Sequence, residues 1–280
     1  MSHEESEQLL AEGLDADVEM DENAEGGGNE RNVEFEVEVA AQEVDDQPAE
    51  ARTTFISHLM SPMVTLLIGR DEPITLSAHQ SLLVRSPWFE EACRGFDDSG
   101  PREISLPDED VDAVGCFLEY LYTGEYFPRK LAGQRVLETD PSLPELDEQG
   151  DQLLKHARVY TLAEKFGVAS LKTLAVSKIH CINSSIKGEI QYARYVYAYT
   201  ALDDTTIRAP VASFWATRSH TLRSEAEDEF KALCLEFPQF GYDVLTRVLD
   251  EKLKREKSEK MHPATSSTRK RARHSGVAAF

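Results

Sequence analysis

Acidic residues are segregated along this chain, and that segregation fixes where a core can form. Residues 1–52 hold 18 Asp and Glu against two Arg, a net charge of −16, whereas all 280 residues sum to −21. The remaining 228 residues therefore carry only −5, an ordinary charge for a folded body. The acidic stretch includes "EGGGNE" and has too little apolar content to offset the entropy of ordering, so residues 1–54 are expected to be a disordered arm. Within it, "NVEFEVEV" alternates Val33, Phe35, Val37 and Val39 with glutamates, the period of a strand with one apolar face. Two readings stay open for it: a strand that adds to a sheet edge, or a solvated acidic segment.

The charge balance argues against general nucleic-acid binding, which needs a basic surface for the phosphates. Cys93, Cys116, Cys181 and Cys234 lie far apart, without C-x-x-C or paired His spacing, so no zinc site is expected and a reducing compartment suits them. "MSHEESEQLL" lacks the regions of a signal peptide, and no apolar run approaches the ~18 residues of a membrane span. The expected location is cytoplasmic, nuclear or both, with no membrane contact.

From Met63 the composition changes. "MVTLLIG", the turn "RDEP" and "ITLSA" predict a β-hairpin. Ser77 with Gln80 three residues on is a capping-box pattern, predicting a helix that carries His79, Leu82 and Leu83 on one face. Pro87 ends that helix near Arg85, and Ser86-Pro87 starts the next, whose apolar stripe is Phe89, Cys93 and Phe96. "REISL" predicts a third strand. Asp108 is the expected cap of a helix bearing Val111, Val114, Leu118, Leu121 and Tyr122, ended by Gly124. Residues 126–149 form a long, proline-containing loop, expected to be mobile. "DQLLKHARVYTLAEKFGVASLKTLAVSKI" predicts two helices punctuated by Gly167, and the chain stays helical beyond Ser185, with a bend expected at Pro210. The basic tail includes "RKRAR", Arg269 to Arg273, either a nuclear-localisation patch or an ordinary solvated tail.

The stretch "LSAHQSLLVRSPWFEEAC" holds the residue types of nucleophilic catalysis. Each has a structural use. Ser77 and Ser86 supply oxygens that helix starts require, Glu90 and Glu91 suit a first turn, and Cys93 sits on an apolar stripe. A Cys93–His79 nucleophile pair is the enzymatic alternative, but fourteen residues and a helix break separate the two, and no acid orients the imidazole. The cluster Glu109, Asp110, Asp112 lacks the Asp/Gly rhythm of a calcium loop. No catalytic residue, cofactor or metal is expected.

In their order, "LLIG…ITLSAHQSLLVRSPWFEEACRGF" and "ISLPDEDVDAVGCFLEYLYTGEY" resemble the BTB/POZ domain, in the style of filamentous-fungal members. "FKALCLEFPQFGYDVL" resembles the helical C-terminus those proteins carry, so the similarity covers about 62–250. The resemblance implies an α+β fold: a short three-stranded sheet flanked by a helical cluster over 62–183, a helical extension over 184–256, and a basic disordered tail over 257–280. His79, Ser86, Pro87, Phe89, Leu118, Tyr122 and Gly124 fall on structural family positions. The implied function is non-enzymatic protein–protein interaction: self-association, with "TTFISHLMS" available as the N-terminal dimer helix, and adaptor binding to a cullin scaffold of ubiquitin ligases. The apolar-x-Glu motif of cullin binders is matched by Phe96-Asp97-Asp98, one methylene short, and a docking face formed by Phe96, Asp98, Tyr126 and Phe127 is expected. Met63 and Gln80 stand where corepressor-recruiting members carry Asp and a basic residue, which speaks against that variant. The alternative is a nuclear transcriptional regulator using the acidic arm without direct DNA contact.

Overall fold

The computed structural model describes residues 54–97 and 99–261, with only the backbone described at 219, 221–223 and 259–261. These lie in the second of two units, Arg52–Phe280. The expectations for the acidic arm, the 33–39 segment, Asp98 and the 269–273 patch fall outside the described residues.

The architecture is α+β, a small mixed sheet with many helices. Helix α1 (Phe55–Leu59) precedes β1 (Met63–Ile68) and β2 (Ile74–His79). These two strands pair antiparallel from Met63↔His79 to Ile68↔Ile74, and the alternation of β1 sends Val64, Leu66 and Ile68 into the core. After α2 (Gln80–Leu83) and α3 (Pro87–Arg94), β3 (Glu103–Leu106) pairs parallel with β1, so the sheet order is β2-β1-β3. A parallel neighbour needs a crossover, and α2 and α3 provide it.

Ser86 and Pro87 act as their chemistry dictates. The Ser86 hydroxyl accepts the Phe89 N–H at 3.4 Å and donates to the Phe166 carbonyl at 2.6 Å, fully buried. One residue thus caps α3 and fixes it to a segment eighty positions away. The rings of Phe89, Phe117 and Phe166 meet with centroids 4.7–5.5 Å apart beneath it.

Two expected caps are corrected. Ser77 lies in β2 opposite Thr65, and α2 starts three residues later, after His79 and without a side-chain cap. The ladder to β1 satisfies the backbone that a cap would have served, so the strand runs on. Asp110, not Asp108, caps α4 (Val111–Thr123), accepting the Ala113 N–H at 3.0 Å, while Asp108 pairs with Arg70 across the sheet end. Gly124 ends α4 in the left-handed region at φ +79°, as its position predicts.

Helices α5 (Asp151–Lys165) and α6 (Ala169–Ile179) form the expected pair around Gly167, and α7 (Ile186–Tyr199) packs on α5. Then follow α8 (Thr205–Glu225), with Pro210 inside it, α9 (Glu227–Glu236) and α10 (Pro238–Met261). A single hydrophobic core runs from Val64 to Val244, continuous across residues 183 and 184.

The 126–149 loop is anchored at both of its ends. Buried Asp147 accepts the Gly150 and Leu153 N–H groups on its carboxylate, each at 3.0 Å, and so caps α5 from upstream. Its carbonyl accepts from the Ser184 hydroxyl and the Ser185 N–H. Here the backbones of Gly150 and Gly188 touch: a Cβ on Gly188 would stand 2.2 Å from Ser184 Oγ and 2.9 Å from Gly150 N. Gly115, on α4, has nothing within 4 Å of such a Cβ. Opposite outcomes follow for one chemical change. Gly188→Ala should destabilise by about 1–3 kcal/mol, and Gly115→Ala should stabilise by about 0.5–1 kcal/mol, both read from urea midpoints. Losses of equal size at both sites would contradict the contact at Gly188.

Candidate functional site

His79 and Cys93, the two residues of the enzymatic alternative, stand in different surroundings. His79 Nδ1 lies 2.6 Å from the Tyr122 hydroxyl, which also accepts the His79 backbone N–H at 3.0 Å. Cys93 is buried in the core, where desolvation raises its thiol pKa, the opposite of nucleophile activation. Cys116 is pushed up to about 11 by burial. In the acidic cluster, Glu109 pairs with Lys165 and Asp110 with Arg158, the latter at 3.4 Å. Among the described residues no group of three His, Cys, Asp or Glu is placed to hold a metal. No described helix is long and apolar enough to cross a membrane.

The proposed docking residues separate into different environments. Phe96 is half-buried, with the Arg102 guanidinium 5.8 Å over its ring. Phe127 is half-buried, with the Lys155 ammonium 5.7 Å from its ring centre. Tyr126 is 0% exposed, so it cannot touch a partner: its ring belongs to the core. Its sequence position beside Phe127 concealed this, because successive residues of an extended segment face opposite ways.

Phe127 lines a groove of about 660 Å³ between α4, α5 and the 127–143 loop. The walls combine Val111, Phe127 and Leu143 with carboxylates at Asp112, Glu119 and Asp151, and Gly115 leaves the α4 backbone bare. Beneath lies a buried polar lattice. The Tyr126 hydroxyl and His156 Nδ1 are 2.9 Å apart. The Lys178 ammonium, itself fully buried, donates to the Tyr126 carbonyl, to the Pro128 carbonyl at 2.7 Å and to Glu125 Oε1 at 2.6 Å. Those three acceptors match its three N–H bonds. Burial pulls its pKa down, while Glu125 opposes that displacement.

The sequence reading passed over His58. Its Nδ1 lies 2.6 Å from Ser81 Oγ, tying α1 to α2. Helix α1 otherwise buries nothing: Phe55, Ile56, Leu59 and Met60 are all exposed, Ile56 at 68% and Met60 at 81%. The apolar letters of "FISHLM" were visible, but whether they faced inward was not, since a five-residue helix carries no full periodicity.

Two groups make acid stability informative. His156 is pushed down to about 3, by desolvation first and then by Lys178 and Lys155. Its stabilising contribution is complete above about pH 6.5 and is lost as pH falls through the folded value. Glu189, in the first turn of α7, is raised to about 7 by desolvation, which Arg218 only partly opposes. Its contribution has the reverse sign: it is complete below the ordinary glutamate value and is lost as pH rises through about 7. Over pH 4.5–6.5 the two slopes, each at most about 1.4 kcal/mol per pH unit, oppose one another. Glu189→Gln should make acidification more destabilising than in wild type, and His156→Gln should make it less so, in urea melts at several pH values. Unchanged slopes in both variants would refute the assignment.

No protein-family model matches the chain, and no curated protein matches it.

Proposed function

We propose that this chain is a non-enzymatic protein–protein interaction module of the BTB/POZ type, which self-associates through α1. The observation that carries this reading is the exposed apolar surface of α1. A five-residue helix is far below the length that is stable alone in water, and this one buries none of its own side chains. Phe55, Ile56 and Leu59 on the helix, Met60 at its C-cap and Met63 at the start of β1 are all exposed large apolar residues within nine positions of one another. A matching set on a second chain would cover them. The reading is supported further by the order of elements from β1 to α6, and by the reactive side chains: His79 is engaged by Tyr122, and Cys93 is packed in the core.

In dilute solution, light scattering on the full chain should give twice 31.4 kDa. Replacing Phe55, Ile56 and Met60 together by Glu should return the single-chain mass with unchanged circular dichroism. A wild type that stays at the single-chain mass would remove the α1 contact.

Adaptor binding to a cullin scaffold is the second reading, favoured by Phe96, which keeps part of its ring accessible at the end of α3. Phe96→Ala should cut capture by a cullin N-terminal region by about tenfold or more, the scale of an aromatic anchor. Absence of capture by wild type would confine the function to self-association.

A further inference from the structure

The last helix divides into two parts. Phe240 and Val244 face inward, and α10 packs on α8 and α9. From Val248 to Ser258 every residue is exposed, so this half stands clear of the body. On its outward side Tyr242, Leu245, Leu249 and Leu253 are all more than half exposed. At 3.6 residues per turn these four fall within an arc of about 80°. Such a stripe, continued onto a helix half with no packing of its own, is the pattern of a surface covered by another helix.

Charge identifies the covering helix. Residues 238–251 carry three acids and one base, and residues 252–261 carry five bases and two acids. We propose that α10 pairs antiparallel with α10 of a second copy. That orientation sets the acidic half of each helix against the basic half of the other and opposes the two helix dipoles. A parallel pair would set like charge against like along the whole length. The three leucines of the stripe are evenly spaced about Leu249, so the antiparallel register brings Leu249 onto Leu249 and Leu245 onto Leu253, with Tyr242 opposite Glu256 at the rim. The pairing uses no residue of α1 and is independent of the contact proposed there. Its apolar area is four side chains per copy, so the association is weak and appears as concentration is raised.

The test uses the full chain carrying the Phe55→Glu, Ile56→Glu and Met60→Glu changes, which takes the α1 contact out of play. Single cysteines are added at 245, 249 or 253, and a short bis-maleimide is applied, with the four native cysteines alone as background. Leu249→Cys should cross-link to itself. Leu245→Cys and Leu253→Cys should cross-link when mixed and not separately. In parallel measurements the mass should rise with concentration, and Leu249→Glu with Leu253→Glu should abolish that rise with circular dichroism unchanged. Cross-linking of the 245 and 253 variants each to itself would overturn the antiparallel arrangement. Cross-linking no greater than background, with a constant mass, would overturn the pairing. Because α1 is disabled throughout, neither result bears on the self-association proposed above.

Discussion

A single buried ammonium organises the centre of this molecule. Lys178 reaches from α6 across to the segment that follows α4, and its three N–H bonds end on Glu125, Tyr126 and Pro128. Removing a charge from water costs several kcal/mol, and the reward returns only if every donor finds an acceptor. Here every donor does. Three consecutive consequences follow. The chain after Gly124 is held against α6, the Tyr126 ring is carried beneath the surface to His156, and Phe127 is turned outward to line the groove. An apolar residue in place of Lys178 would take the ammonium donor from two buried carbonyls and from the partly exposed Glu125 carboxylate, so the lysine specifies this arrangement as much as it stabilises it.

The parts of the fold that were legible in the sequence are those governed by neighbours in the chain. Ser86-Pro87, Gly124 and Gly167 each declare a backbone conformation through their own chemistry, and the structure uses all three as expected. The strand alternation from Met63 to Ile68 is similarly self-contained. Ser77 and Asp108 misled because their local patterns compete with distant partners, a strand ladder in one case and Arg70 in the other. Lys178 and Asp147 carried no local signal at all. The first looked like one more lysine on a helix, and its acceptors lie about fifty positions upstream. The groove was half legible: Phe127 was identified from the sequence, but its neighbour Tyr126 was placed on the same face, and only the Lys178 lattice separates them.

The reactive residue types have a common fate. The oxygens of Ser86 and Ser185 close helix starts, the thiols of Cys93 and Cys116 are made less acidic by burial, and His79 and His156 each bond a tyrosine hydroxyl. Exposed large apolar side chains on the described surface include those of residues 55–63, before and at the start of the sheet, and those of residues 242–253 in the last helix. Area of that kind has no use within one chain, since folding leaves it in water.

The anchorage of Asp147 bears on how the long connection before it can vary. Both ends of that connection are fixed, by Lys178 at residues 125–128 and by Asp147 where it meets α5 and the start of α7. Between them the chain is bridged to itself at Lys130 and Leu137 and is mostly exposed. Changes of length within residues 129–146 would therefore reshape one wall of the groove without disturbing either helix start. A register slip of even one residue at Asp147 would uncap α5 and force the two touching glycine backbones apart.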